Sequence, residues 1–162
     1  MVQVRVAGVA LDAAGQHVIL LKPLEAQSDD RVLPIWIGAQ EATSILIAVE
    51  GAQAPRPLAH DLIRSLLETL DAVVERVEVT RIDDGTYYAE ITVRSGGAVH
   101  VVDARPSDAV AVASRTGAPL FVADDVLAEA GVPGLIVQGE EEEAVEEFHR
   151  FIEDVDPDDF RE

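Results

Sequence analysis

Apolar and polar residues alternate with a period of two over residues 2–11, 17–24 and 31–38, with an Ala14-Gly15 turn between the first two runs. That period puts successive side chains on opposite faces of a pleated strand, so the runs predict three strands. The period then lengthens. Ala42, Ile45, Leu46 and Val49 keep the i, i+3, i+4, i+7 spacing of one helix face across residues 39–50, and Gly51 stands where a left-handed residue ends a helix. A second helix is predicted after Pro57, with Leu58, Leu62, Leu66 and Leu70 on one face.

The order returns in the second half. Residues 77–82, 87–94 and 99–105 predict strands joined by Asp-Asp-Gly and Ser-Gly-Gly turns, residues 107–115 a helix ended by Gly117, and residues 119–130 a further helix. The recurrence of β-β-β-α-α predicts an α+β fold of two duplicated units, whose six largely antiparallel strands form one curved sheet or barrel flanked by helices. Past Gly139 the pattern shifts again. Residues 140–143 are all Glu, while Val145, Phe148 and Ile152 lie three and four apart, which predicts an appended acidic amphipathic helix and tail. The organisation read from the chain is a body, residues 1–138, and an acidic extension, residues 139–162.

Charge changes the picture more than composition does. The formal net charge of −19 divides into −10 over residues 139–162 and −9 over residues 1–138. Such a field opposes polyanions, so nucleic acid binds weakly unless local arginines or divalent ions screen it. The 162 residues, 48% hydrophobic and 4% aromatic, suit one core of Val, Ile, Leu and Ala. The absence of cysteine excludes disulfides and thiolate-held metals. Neither a secretory leader nor an apolar run of membrane-spanning length is read, and the expectation is a soluble cytoplasmic protein without membrane partners.

Candidate chemistry concentrates where a strand meets a helix, in the run VVDARPSDA at residues 101–109. Pro106 suits a first helical position, so Asp103, Arg105, Ser107 and Asp108 crowd a helix N-terminus, whose free N–H groups favour anions. These residues suit a phosphate or metal site, and equally a helix cap with an Arg105–Asp103 ion pair. Trp36 alternates away from Leu33, Ile35 and Ile37; packing beneath a covering layer is the favoured expectation, with a subunit contact or a base-stacking platform as alternatives.

Three segments together resemble the bifunctional nuclease domain, a family of bacteria and plants: LPIWIG at residues 33–38 continuing through Glu41 and Ala42, RPLAHDL at residues 56–62, and DARPSDA at residues 103–109. The second is similar to the family pattern Arg-Pro-x-Thr-His-Asp-Leu, with Ala59 in place of Thr. The resemblance covers residues 1–132 and implies a compact α+β fold, a homodimer, and nuclease activity on DNA and RNA with little sequence specificity. Phosphodiester hydrolysis needs an activated water, neutralisation of the charge developing at phosphorus, and a proton for the leaving oxygen. On this reading Glu41, Asp61, Asp103 and Asp108 are candidate water-activating groups, with Glu41, Asp103 and Asp108 also candidate ligands for Mg²⁺ or Mn²⁺. His60 is a proton carrier, and Arg56 and Arg105, helped by Ser107, hold the phosphate. His60 and Asp61 diverge by about 100° on a helix and so do not grip one ion together. The alternative function is a non-catalytic binding or regulatory module, in which the helix-start cluster takes a small anion or a protein partner.

Overall fold

A computed structural model describes residues 1–25 and 30–134. Its elements run in the order β1 (Val2–Leu11), β2 (His17–Pro23), β3 (Arg31–Ile37), α1 (Ala39–Val49), α2 (Ala59–Thr69), β4 (Val73–Asp83), β5 (Thr86–Ser95), β6 (Ala98–Ala104), α3 (Pro106–Thr116), β7 (Leu120–Val122), α4 (Asp124–Ala130) and β8 (Val132–Pro133). The hairpins follow from their turns. Asp84 and Gly85, and then Gly96 and Gly97, all have positive φ, and each pair forms a two-residue connection between paired strand ends. Both central residues left-handed is the turn whose twist matches that of the flanking strands.

The fold is α+β, and its strands form one mostly antiparallel sheet in the order β6-β5-β4-β7-β1-β2-β3-β8. Two corrections to the sequence reading follow. The sheet is open, with β6 and β8 at its edges, so the barrel alternative falls; and eight strands, not six, are present among the described residues. The added strand β7 lies where a helix over residues 119–130 was predicted. Leu120, Phe121 and Val122 are aromatic and branched residues suited to a pleat, and they pair antiparallel with β1 and parallel with β4. This short strand joins the two three-stranded meanders into one sheet, and α4 begins only at Asp124. The extension, residues 139–162, with its predicted helix, lies outside the described residues.

The core lies between the sheet and the helices. Ile19, Leu21, Leu33 and Ile35 of the first meander meet Val77, Val79 and Ala89 of the second, Val122 of β7, and Val110 and Val112 of α3. Each fully buried Val or Leu contributes roughly 1.5–3 kcal/mol. A smaller cluster of Ala10, Val18, Leu20 and Val32 uses the alternate residues of β1, β2 and β3. Trp36 shares that alternate phase, yet it is 53% exposed. The expectation that it packs inside is corrected: its indole N–H donates to Asp12 Oδ2 at 3.0 Å at the β1–β2 turn, so the ring is fixed at the surface by its polar edge. The apolar face of α2 also lies outward, with Leu62, Leu66 and Leu70 exposed and only His60 of that helix buried.

Candidate active site

Three helices begin with an acid at the third helical position: Glu41 in α1, Asp61 in α2 and Asp108 in α3. A carboxylate there complements the partial positive charge of the helix start. Two of these starts meet at Arg105, the residue that precedes α3. Its Nε donates to Asp108 Oδ2 at 2.9 Å, and its Nη2 donates to Glu41 Oε1 at 3.2 Å. Pro106 keeps Arg105 extended, at φ −68° and ψ 143°, so the guanidinium projects from the helix start with its side chain 67% exposed. Glu41 folds back over Gly38, where a Cβ would come within 2.2 Å of Glu41 Oε2; the glycine provides room for the carboxylate.

From Asp108 the polar chain turns inward. Asp108 Oδ1 lies 2.8 Å from His60 Nε2, and His60 Nδ1 lies 2.7 Å from Ser44 Oγ. Ser44 Oγ in turn accepts from Arg115 Nη2 at 3.0 Å, and Arg115 Nε donates to Asp61 Oδ1 at 2.7 Å. Asp108 as a carboxylate only accepts, which places a proton on His60 Nε2. In the neutral ring Nδ1 then accepts from the Ser44 hydroxyl, and the donors run in one direction from Arg115 through Ser44 and His60 to Asp108. The side chain of Arg115 is 3% exposed, and it also donates to the carbonyls of Ala111 and Ser44. It ties α3 to both α1 and α2.

The electrostatics follow the pairing. Burial by itself raises the carboxyl of Asp108, but hydrogen bonds from Arg105 and His60 and their charges outweigh it, so its pKa lies below the usual carboxylate value. Asp61 behaves alike: burial pushes upward, and the Arg115 hydrogen bond, the Leu58 N–H, and the charges of Arg115 and Arg64 bring it below the usual value. Both acids carry their charge at neutral pH.

The structure thus brings together Glu41, Arg105, Asp108 and His60, and it connects Asp61 only through Ser44 and Arg115. His60 and Asp61 do diverge, His60 toward Asp108 and Asp61 toward Arg115. Asp103 is exposed on β6, in register with Glu90, and Arg56 is exposed before α2; neither has a hydrogen-bond or ion-pair partner among the described residues. Ser107 is buried at the start of α3 and lines an open cavity of about 610 Å³ together with Arg105, Gly38, His17, Trp36 and Tyr87. Ser44 and Arg115 complete the chain and were not singled out in the sequence.

The donor set tests the expected metal. Among the described residues no three His, Asp or Glu side chains gather as a ligand group, and Glu41 and Asp108 are both engaged by Arg105. These residues do not fit a protein cage for Mg²⁺ or Mn²⁺.

Comparison with known proteins gives two findings. A family model described as the bifunctional nuclease domain matches residues 19–134. Uncharacterized protein MT1877 and Uncharacterized protein Rv1829, from two strains of Mycobacterium tuberculosis, are each 40% identical to this chain over 169 residues, covering 99% of it and 99% of their own length.

Proposed function

The chain belongs to the bifunctional nuclease domain family, and from that membership we propose that it hydrolyses phosphodiester bonds of DNA and RNA with little sequence specificity. The observation that carries this reading is the meeting of Glu41, Arg105 and Asp108 at two helix starts beside one open cavity. Arg105 holds the phosphate and neutralises charge as the water oxygen bonds to phosphorus and the ester P–O bond breaks. Glu41, with one oxygen not bonded to Arg105, takes the proton of the attacking water. The leaving oxygen takes a proton from a solvent water, whose hydroxide is neutralised by the proton held on Glu41, while Asp108, oriented by His60, keeps Arg105 in place. Ser44 and Arg115 orient the imidazole. Asp61, bonded to Arg115 and to the Leu58 N–H, supports Arg115 and takes no part in the proton steps. No step above depends on a divalent ion.

Purified protein incubated with single-stranded and duplex DNA and RNA, with Mg²⁺, Mn²⁺ or a chelator, tests the proposal against the variants Glu41→Gln and Asp108→Asn. Cleavage lost in both variants is expected. Cleavage undiminished in both assigns the activity to a contaminant and removes the proposal. The second reading, a non-catalytic module that takes a small anion or a partner's carboxylate at Arg105, is favoured by the existing neutralisation of Glu41 and Asp108 by that arginine. Absence of cleavage under every condition, with anion binding that Arg105→Ala abolishes, establishes it instead.

The expected homodimer has a physical basis in α2. Leu62, Leu66 and Leu70 form an outward apolar stripe, edged by Ile63 and Val73. An antiparallel pair of α2 helices centred on Leu66 matches Leu62 with the partner's Leu70, the self-complementarity that a two-fold contact requires. The second copy is therefore the proposed occupant of this face.

A further inference from the structure

The nuclease reading leaves the aromatic part of the cavity beside Arg105 unused. In a chain with one tryptophan, that indole is about half exposed, lines this cavity, and has its N–H tied to Asp12. Asp12 is itself fixed, accepting the backbone N–H groups of Ala14 at 2.9 Å and Gln16 at 2.8 Å. The ring is thus held in place with its faces not needed for the core. Tyr87, whose hydroxyl donates to the Pro34 carbonyl at 3.3 Å, lines the same space. So does Ser107, a residue only 7% exposed whose hydroxyl has no partner among the described residues. A hydroxyl without a protein partner on the wall of a cavity is a position where a ligand atom can bond in place of water. At about 610 Å³ the cavity falls within the roughly 300–1,000 Å³ typical of small-molecule sites.

Charge decides what such a site takes from a nucleic acid. Arg105 is the cation lining the cavity, apart from any charge on His17, and Glu41 and Asp108 flank it. With a net charge of −19 over the chain, phosphate contacts supply little of the affinity. Stacking of a base on an aromatic ring is worth roughly 1–3 kcal/mol and does not depend on the phosphate charge. We propose that the cavity binds one unpaired nucleobase of a single strand, stacked on Trp36 and hydrogen-bonded by Ser107, with the adjoining phosphate at Arg105. A base in a duplex has both faces covered by its neighbours and cannot enter. The substrate class of the proposed nuclease is accordingly single-stranded nucleic acid held by its base, an inference that rests on the hydrolytic reading for the role of Arg105.

Because Trp36 is the sole tryptophan, its fluorescence reports this site alone. The full chain is titrated with a deoxyadenosine hexanucleotide and a blunt duplex of mixed sequence, both made with phosphorothioate linkages to resist hydrolysis, and with ribose 5-phosphate. The hexanucleotide is expected to quench, and the duplex and the sugar phosphate to leave the signal unchanged. Anisotropy of a labelled hexanucleotide then gives a Kd that weakens roughly tenfold or more in Trp36→Ala and recovers in part in Trp36→Phe. The logarithm of affinity falls against the logarithm of salt with a slope no steeper than about −0.7, one phosphate contact on a single strand. Equal quenching by duplex or sugar phosphate, no quenching by any ligand, or an unchanged Kd in Trp36→Ala overturns the proposal. Stacking without cleavage leaves this inference standing and the hydrolytic reading fallen; cleavage of duplex and single strand alike without quenching does the reverse.

Discussion

Helices α2 and α3 are each eleven residues long, and each begins with an acid at its third position, yet they meet the fold in opposite ways. Seven residues of α3 are buried, among them the whole run from Ala109 to Ala113, whereas α2 buries only His60. The helix with the clear leucine stripe turns that stripe outward and its polar start inward. A periodic apolar face shows that a helix covers something; it does not say that the covered surface belongs to the same chain. Helix α3, apolar on all sides over one turn, has no outward choice and occupies the position between α1, α2 and the sheet.

The sharpest way to break this comparison is to place one charge in each helix. Val110 is fully buried in α3, and Val110→Asp leaves an unpaired carboxylate in the core, with an expected loss above about 4 kcal/mol. Leu66→Asp on the exposed face of α2 should change monomer stability by only about 0.5 kcal/mol while converting a dimer to monomers. Urea midpoints and sedimentation velocity measure the two effects. A Leu66→Asp protein that unfolds, or one that sediments as before, removes the outward role assigned to α2.

Arg115 is the next largest test, because its ion pair with Asp61 joins the two helices beside the His60–Asp108 bond. Arg115→Ala strips Asp61 of its counter-charge and Ser44 of a donor in a buried setting, so a loss of roughly 3–5 kcal/mol is expected in urea unfolding. Arg64→Ala, which removes a half-exposed cation 3.7 Å from Glu68 whose charge also acts on Asp61, should cost less than about 1 kcal/mol. Equal losses would mean that burial of Arg115 contributes nothing special.

This contrast also explains what the sequence made legible. The hairpins were readable because Asp-Gly and Gly-Gly pairs dictate their own turns, and the cluster at Arg105 and Asp108 because Pro106 announces a helix start. Ser44 gave no sign: it sits beside Ile45 on α1, and nothing in a helical period says that one serine faces a histidine sixteen residues on. Arg115 reads as an ordinary cation near a helix C-terminus, which favours positive charge in any protein. Three residues of β7 are too few to show a period, and its partners, β1 and β4, lie far away along the chain. Trp36 was placed on the correct face of β3 by alternation, but exposure of that face depends on what covers it, which is a tertiary property.

Gly38→Ala sharpens the comparison at the site itself. The backbone there is ordinary, φ −73° and ψ 160°, so alanine fits the chain, but its Cβ takes the space of Glu41 Oε2 and the carboxylate must move away. A stability change within about 0.5 kcal/mol is expected, while a misplaced reacting group lowers cleavage by up to roughly a hundredfold. Wild-type cleavage rates in Gly38→Ala would remove Glu41 from the reaction and leave Arg105 and Asp108 as the working pair.

The smallest effect compares the two helix-start acids by pH. Asp61 and Asp108 are both held below the ordinary carboxylate value of about 3.9, so each stabilises the fold fully above that value. That stabilisation is lost as pH falls through the lower folded pKa, because the unfolded chain takes up the proton first. Wild-type stability should therefore decline below about pH 4. Asp61→Asn and Asp108→Asn are each less stable near neutral pH, and each should show a shallower decline at the acid end. Asp61 faces the buried Arg115, whose charge persists at every pH of the titration, so its variant isolates one half-buried carboxylate–guanidinium pair between α2 and α3. Asp108 faces an exposed Arg105 as well as His60, and added salt should flatten its contribution more than that of Asp61. Urea midpoints between pH 2 and about 6, at two ionic strengths, read both differences. An unchanged acid limb in Asp61→Asn would show that Arg115 acts through Ser44 of α1 and not through its ion pair with α2.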